Sequence, residues 1–219
     1  MAKDKAADRV APEQLSRESD PAERAPGGVG LLIIDLINDM AFDGAAEMAE
    51  AALAAAKVTK RLRREADALG TPVIYVNDNY RQWRLGRNGI VAHCLRSNEN
   101  AAALVRRIRP RTRDYFVVKP HVSGFYATSL PALLPRLGVN RVVLTGVSTE
   151  ICVMFTAADA HMRAYDIWTP SDAVASAQPE HSEWALQIMR NSLAAEIAPT
   201  TDLTLEAWVR RGSRASGGH

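Results

Sequence analysis

Short apolar runs alternate with longer amphipathic segments along most of this chain, and that alternation restricts the fold more than any other feature. Five runs have the length and apolar character of strands, namely residues 30–35, 72–78, 114–120, 141–146 and 165–170. Strands and helices that alternate in this way form βαβ units, in which the strands lie parallel and the helices cover both faces of the sheet. The sequence therefore predicts a Rossmann-like α/β protein, a three-layer α/β/α sandwich around a mostly parallel, doubly wound sheet.

The segments between the strands predict helices, with one exception. Helical composition or spacing is found over residues 44–70, 97–110, 130–138, 149–164 and 179–196. The second of these has Ser97 or Asn98 as its N-cap. Residues 79–94 instead predict a long irregular connection, and such loops often carry function. Residues 204–210 predict either a last strand or a short helix.

The two ends of the chain are predicted to lie outside the folded domain. Residues 1–28 mix both signs of charge with Pro and Gly, and they cannot bury enough apolar surface to offset their ordering entropy. We therefore expect a flexible N-terminal arm, one folded domain over residues 29–209, and a disordered tail over residues 210–219. A single core is sufficient for a chain of 219 residues.

Composition and charge exclude several classes of function. The chain is 47% hydrophobic and 24% charged with a net charge of +2, which is typical of an ordinary globular protein. Two arginine-rich segments, 60–65 and 106–113, are interpreted as solvated helix faces, because no recognition motif accompanies them. We expect no nucleic-acid partner. No apolar run reaches the ~20 residues that span a bilayer, no secretory signal is present, and the two cysteines form no disulfide framework. A cytoplasmic protein without a membrane partner is the expectation.

Three reactive side chains follow predicted parallel strands. Asp35 comes after the first strand, Lys119 ends the third, and Cys152 lies in the first turn of the helix after the fourth. Ligands in such sheets bind beyond the carboxyl ends of the strands, near the point where the strand order reverses. Taken singly, the aspartate fits a turn, the lysine a solvated side chain and the cysteine a small buried residue. Their shared edge of the sheet favours a functional site.

Acyl transfer needs side chains of these three types. A helix N-terminus and a cation both lower the pKa of a thiol, and this arrangement offers both to Cys152. Asp35 would act as the proton shuttle, and Lys119 would keep its carboxylate ionised. Gly146 allows a close approach of the backbone, and the N–H groups near Ser148 and Cys152 are predicted to form an oxyanion hole.

The motifs "LLIIDLINDM", "VVKPHVSGFYATSL" and "VVLTGVSTEICVMFTAADA", in this order, resemble the isochorismatase-like cysteine hydrolase superfamily. That superfamily includes nicotinamidases, N-carbamoylsarcosine amidases, ureidoacrylate amidohydrolases and streptothricin hydrolases, and the similarity covers residues 30–197. The resemblance implies that Asp35, Lys119 and Cys152 form a catalytic triad in one hydrolase domain. It further implies a cis peptide bond before Ser148 and a homodimer or homotetramer.

Two departures from relatives in that superfamily narrow the expected chemistry. Nicotinamidases carry an Asp-x-His metal motif after the second strand, where this chain has Asp78 and Tyr80. We therefore expect no metal and no cofactor, and nicotinamide is disfavoured as substrate. Isochorismatases proper lack the cysteine, so Cys152 favours hydrolysis of a C–N bond. Cys94 has no comparable setting and is interpreted as structural.

Polar and aromatic residues near the triad are the candidates for substrate binding. They are Phe42, Asn77, Asn79, Tyr80, Trp83, His121, Phe125 and Tyr126. Aromatic side chains fill cores as often as pockets, so core packing is the alternative for each of them. A structural imidazole is the alternative for the histidine.

The sequence favours the first of three functions, and the other two are its alternatives. The first is a cysteine hydrolase that cleaves an amide, lactam, carbamoyl or ureido bond of a small molecule through a thioester. The second is an isochorismatase-type vinyl ether hydrolase, for which Asp35 alone would suffice. The third is a catalytically silent scaffold that binds a ligand or partner.

Overall fold

The computed structural model describes residues 25–212 and has a parallel sheet flanked by helices. The strands are β1 Val29–Ile34, β2 Val73–Asp78, β3 Tyr115–Lys119, β4 Arg141–Val147, β5 Asp166–Trp168 and β6 Val174–Ala175. The helices are α1 Ala45–Leu69, α2 Arg87–Ser97, α3 Glu99–Ile108, α4 Leu130–Arg136, α5 Met154–Met162, α6 Pro179–Ser192 and α7 Leu205–Arg210. The predicted fold class, a doubly wound α/β/α sandwich, is confirmed.

The strand order reverses in the middle of the sheet, which is where the predicted site should lie. The order is β3-β2-β1-β4-β5, every pair is parallel, and the short β6 also pairs with β4. The chain builds outward from β1 in one direction and then from β4 in the other. The strand order therefore reverses between β1 and β4, so a crevice is expected beyond their carboxyl ends.

Each face of the sheet has its own apolar core, because side chains alternate along a strand. Leu31 and Ile33 of β1 pack with α1, α2, α3 and α7. Leu32 and Ile34 pack on the opposite face with α4, α5 and α6. All six residues of β1 are buried, which explains why this strand is a continuous apolar run. Such burial on both faces holds the carboxyl end of β1 in a fixed position.

Gly146 brings β4 against β1 where the two strands end. It pairs with Ile34, its φ is 129°, and a Cβ atom there would lie 1.9 Å from the Ile34 carbonyl oxygen. Only glycine avoids that overlap. The close approach that the sequence predicted at this residue is confirmed.

The segment 79–94 differs from the prediction. Only its first part is irregular, because α2 begins at Arg87. The helix buries Ile90, Val91 and Cys94 in the core that contains α1 and α3. The spacing of these apolar residues, by one, three and four positions, is typical of a helix. The polar residues around them made that pattern hard to recognise. The segment 204–210 forms the short helix α7 rather than a strand.

Residues at both ends of the described range contact the domain. Ala25 is buried and its N–H donates to the Leu137 carbonyl, so residues 25–28 pack on the domain although the sequence assigned them to the arm. At the other end Arg211 contacts Glu196 at 3.1 Å. The rest of the predicted arm and tail, residues 1–24 and 213–219, lies outside the described residues.

One arginine of the basic segments was wrongly interpreted as solvated. Arg63 is buried, and its guanidinium donates to the Tyr75 hydroxyl at 2.6 Å and to the Arg109 carbonyl at 2.9 Å. Arg111 pairs with Asp67 and Asp114 across the α1 face. These arginines stabilise the packing of α1 and α3 on the sheet.

None of the helices in residues 25–212 has the length and apolar character to traverse a membrane.

Replacing Asn98 tests how helix α3 is anchored. Its Oδ1 accepts the Ala101 N–H at 2.9 Å, and its Nδ2 donates to the carbonyls of Asp39 at 2.9 Å and Met40 at 3.1 Å. Asn98→Ala removes the cap, and we expect a loss of about 1–2 kcal/mol in the free energy of unfolding by urea. Asn100→Ala, in the exposed first turn of the same helix, is the control. Equal losses in the two variants would contradict this assignment.

Candidate active site

The ammonium group of Lys119 lies between the two other residues of the predicted triad. Its Nζ is 2.8 Å from Asp35 Oδ2 and 3.3 Å from Cys152 Sγ. It also donates to the His121 carbonyl at 3.1 Å and lies 3.9 Å from Asp78 Oδ2. The Lys119 side chain is 0% exposed, so this cation has exchanged its water for protein ligands.

Neighbouring strands bring these groups together. Lys119 is in register with Asp78 at the end of β2, and the Asp78 N–H donates to Asp35 Oδ1 at 2.7 Å. Asp35 directly follows β1 with φ 50°, in the left-handed region that non-glycine residues rarely adopt. Both carboxylate oxygens of Asp35 thus have a donor, and the Lys119 side chain reaches across the end of β2 to supply one of them.

The helix that carries Cys152 starts with a π-helical turn. Residues 149–153 form this turn, in which the Val153 N–H donates to the Ser148 carbonyl at 3.1 Å. The peptide bond between Val147 and Ser148 is cis. The sequence predicted one helix from residue 149 and gave no sign of the π turn. The turn displaces the first residues of the helix relative to α5, and π turns often occur at functional sites.

Side chains from two other segments hold this turn. The Thr149 hydroxyl lies 2.7 Å from the Ser182 hydroxyl of α6, and the Ser176 hydroxyl donates to Glu150 at 2.5 Å. On the next turn the Thr156 hydroxyl donates to the Cys152 carbonyl at 2.6 Å. The position of Cys152 is therefore set by hydrogen bonds within its own helix, to α6 and to the residue that follows β6.

Burial is the largest single influence on the pKa of each of the three groups. It raises the pKa of Asp35, and the charge of Lys119 offsets only part of that rise. It also raises the pKa of the Cys152 thiol, and the Asp35 carboxylate raises it further against the opposing effect of Lys119. Burial acts to lower the pKa of Lys119, but the charges of Asp35 and Cys152 outweigh it and raise that pKa above its ordinary value.

The expectation that Cys152 has a lowered pKa is therefore wrong. It considered the lysine and the helix end but not the desolvation of the thiol or the repulsion from Asp35. With one buried cation, one negative charge is neutralised and a second is not. Either Asp35 or Cys152 can be anionic, and the proton passes between them without changing the net charge of the site.

A cavity of about 570 Å³ lies beside these groups, at the carboxyl ends of β1, β2 and β4. Asp35 and Cys152 form part of its wall, as do the predicted oxyanion-hole residue Ser148 and two predicted substrate residues, Phe42 and Tyr80. Tyr80 is held in place by its hydroxyl, which donates to the Ile37 carbonyl at 2.5 Å. The cavity therefore has room for a small molecule next to the thiol.

Six predicted substrate residues do not line this cavity. Asn77 is buried and donates to the Ile37 carbonyl at 2.7 Å, and the Asn79 side chain accepts the Arg81 N–H at 2.9 Å. Trp83 is 76% exposed. The other three are Phe125, which is buried in the core, and His121 and Tyr126, which line a separate cavity of about 290 Å³. Neighbourhood along the sequence placed these residues near the triad, but their side chains point elsewhere.

Eight cavity residues were absent from the prediction. They are Asn38, Asp39, Ala41, Met48, Asp78, Arg81, Val147 and Ile151. A signal existed for Asp78, which ends β2 as Asp35 follows β1. The polar pair Asn38 and Asp39 just after the first strand was a second signal.

The comparison with known proteins agrees with this geometry. A family model, the isochorismatase domain, matches residues 29–202.

The chain belongs to the isochorismatase family.

Individual members of the isochorismatase family show the extent of the similarity. The isochorismatase family protein YaaI of Bacillus subtilis (strain 168) is 40% identical over 167 residues, which are 76% of this chain and 91% of that protein. Maleamate amidohydrolase of Pseudomonas putida is 30% identical over 141 residues, which are 62% of this chain and 66% of that enzyme.

Solved structures of the family have the same fold. N-carbamoylsarcosine amidase of Thermoplasma acidophilum has a TM-score of 0.60 at 27% identity, with 80% of this chain and 98% of that chain covered. The nicotinamidase SaPncA of Staphylococcus aureus has a TM-score of 0.59 at 25% identity, with 78% and 96% covered.

The position of the metal motif of nicotinamidases does not fit a metal ion in this member of the isochorismatase family. The Tyr80 hydroxyl already donates to a backbone carbonyl, and Asp78 Oδ1 accepts the Tyr80 N–H at 2.6 Å. Nearby, His93 Nε2 lies 3.2 Å from Asp39 Oδ2. Across residues 25–212, no three His, Cys, Asp or Glu side chains are arranged to hold a metal.

Removing the negative charge of Asp35 should make Cys152 more reactive toward alkylation. Asp35→Asn leaves Lys119 in place but deletes the repulsion that raises the pKa of the thiol, so more thiolate is present at neutral pH. We expect iodoacetamide to label Cys152 roughly tenfold faster at pH 7 than in the wild type. Asp39→Asn, in the same cavity, is the control. An unchanged rate in Asp35→Asn would show that burial alone sets this pKa, and a slower rate would show that Asp35 promotes alkylation as a base; either would contradict the prediction.

Proposed function

We propose that this protein is a cysteine amidohydrolase that cleaves a C–N bond of a small amide, lactam, carbamoyl or ureido compound through a thioester on Cys152. One observation carries the proposal. The Cys152 sulfur forms part of the wall of a cavity of about 570 Å³ and lies 3.3 Å from Lys119 Nζ, which in turn lies 2.8 Å from Asp35. A thiol, a buried carboxylate and a cation are thus adjacent where a substrate can enter.

The first half of the reaction forms the thioester. Asp35 takes the proton from the Cys152 thiol while the sulfur attacks the carbonyl carbon, and the carbonyl electrons move onto oxygen. The backbone N–H groups of Ser148 and Cys152 are assigned to this oxyanion. The intermediate then collapses, the C–N bond breaks, and Asp35 gives its proton to the leaving nitrogen.

The second half releases the acid. A water gives a proton to Asp35 and attacks the thioester carbon, and the C–S bond then breaks. The proton held by Asp35 returns to the sulfur, which restores the thiol and the carboxylate. Lys119 stays protonated throughout, because its raised pKa keeps the ammonium form at every step. Its charge stabilises whichever neighbour is the anion.

Relatives of this chain support amide hydrolysis as the general activity. Those with a printed activity include maleamate amidohydrolase, ureidoacrylate amidohydrolase and, among solved structures, nicotinamidase and N-carbamoylsarcosine amidase. All four act on C–N bonds by name. Their different substrates leave the substrate of this chain to be argued from its own cavity.

Replacing Cys152 separates the proposed function from its two rivals. Cys152→Ala should lower hydrolysis of a panel of amides, lactams and ureido compounds by at least about 10³-fold, because no other thiol can form the thioester. Hydrolysis is followed as released ammonia for the amides and ureido compounds and as the ring-opened amino acid for the lactams. Wild-type protein mixed with a substrate and quenched with acid should carry an acyl adduct on Cys152 by intact mass. The buried Cys94 gives the control, Cys94→Ala, which should keep both signals.

Two results would contradict the proposed function. Full activity of Cys152→Ala on a vinyl ether such as isochorismate would favour acid catalysis by Asp35. A folded protein that hydrolyses no compound of the panel and forms no adduct with any of them would favour a silent binding scaffold.

A further inference from the structure

The carboxylates around the cavity are already engaged by the protein. Asp39 Oδ1 accepts the Ala41 N–H at 3.2 Å, and its Oδ2 lies 3.2 Å from His93 Nε2. Asp78 Oδ1 accepts the Tyr80 N–H at 2.6 Å. The triad carboxylate has a backbone N–H and an ammonium group as partners. Each of these three carboxylates therefore already has a partner within the protein, and none is left unused to bind a cationic substrate.

The guanidinium of Arg81 differs from these carboxylates, because no described residue pairs with it. Arg81 lines the same cavity as Cys152, and it is the one arginine or lysine among the described lining residues. Throughout residues 25–212, its side chain has no hydrogen-bond or ion-pair partner, while its backbone N–H donates to Asn79 Oδ1 at 2.9 Å. The wall of the cavity thus includes one arginine, an exposed residue, whose side-chain donors are all available among the described residues.

The backbone holds Arg81 at this position. Tyr80 and Arg81 both have positive φ, at 49° and 59°, in a region that non-glycine residues seldom adopt. Asp78 and Asn79 each accept a backbone N–H from the residue two positions further on, which stabilises the turn. The buried hydroxyl of Tyr80 anchors it to the loop that follows β1. Arg81 therefore starts from a fixed point at the wall of the cavity.

We infer that Arg81 binds a carboxylate of the substrate, so that the substrate is a small amide, carbamoyl or ureido compound with a free carboxylate. A guanidinium matches a carboxylate with two parallel hydrogen bonds, a geometry that ammonium groups and neutral donors do not offer. Cleavage takes place at the C–N bond next to Cys152, and the carboxylate stays unchanged. This inference names the substrate class of the proposed amidohydrolase and rests on that function.

The role predicts a particular kinetic pattern. The carboxylate has the same charge in the ground state and in the transition state, so its contact with Arg81 acts as uniform binding. Removing the guanidinium should raise KM for a carboxylate-bearing amide and leave kcat within about twofold. Loss of a hydrogen-bonded charge pair corresponds to a rise of roughly 10- to 100-fold in KM. A neutral amide should be unaffected.

The test compares Arg81→Gln with Arg84→Gln. Arg84 lies in the same exposed loop but does not line the cavity, so its variant is a matched control for the loss of one charge. Ammonia release is measured with succinamate, with its neutral analogue succinamide, and with the cationic β-alaninamide. We expect the wild type to prefer succinamate, and Arg81→Gln alone to lose that preference. Equal KM for succinamate in both variants, or a wild-type preference for β-alaninamide, would overturn the inference.

A second measurement does not depend on amide turnover. Iodoacetate and iodoacetamide both alkylate Cys152, with the sulfur–carbon bond formed as iodide leaves, but only iodoacetate carries a carboxylate. Arg81→Gln should slow labelling by iodoacetate roughly tenfold relative to iodoacetamide, and Arg84→Gln should not. An unchanged ratio would overturn the carboxylate role. If no amide is hydrolysed but the ratio falls as expected, the proposed function fails while the anion site stands.

Discussion

The positive charge of Lys119, buried beyond the ends of the strands, is the constraint on which the active site depends. A fully buried ammonium is tolerated only when anions and carbonyls replace its water. Asp35 supplies the anion, and Cys152 and the His121 carbonyl complete the surroundings. One cation balances one negative charge. The site can therefore move a proton between a carboxylate and a thiol at little electrostatic cost, whereas ionising both would be expensive.

This charge balance changes how the nucleophile is understood. A reactive cysteine is often explained by a thiolate that exists before the substrate arrives. Here burial and Asp35 keep the resting Cys152 protonated. In the proposed mechanism Asp35 takes the proton only as the sulfur attacks. The fold supports this exchange by fixing both partners. Asp35 is bound by the backbone of β2, and Cys152 sits in a π turn that hydrogen bonds connect to α6 and to Ser176, which follows β6.

The fold and the contact among the three reactive side chains were predictable because both follow from local rules. Parallel strands end at one edge of a sheet, so Asp35, Lys119 and Cys152 were expected to meet, and the structure places their side chains in contact. The wall of the cavity was harder to predict. Asp39 comes close because Asn98, 59 residues further along the chain, donates to its carbonyl. Trp83 lies in the expected loop but points to solvent. Contacts between distant loops and the direction of a single side chain leave little trace in a sequence.

The central claim is that Lys119 alone allows an anion in this site, and infrared spectroscopy of the Asp35 carboxyl group tests it most directly. The protonated carboxyl of a buried aspartate gives a resolved C=O band. The band is assigned to Asp35 if it is absent once Asp35→Asn is added. At pH 7 the account predicts no such band in the wild type or in Lys119→Arg, and a clear band in Lys119→Met, where no cation remains to stabilise the carboxylate. An ionised Asp35 in Lys119→Met would contradict it.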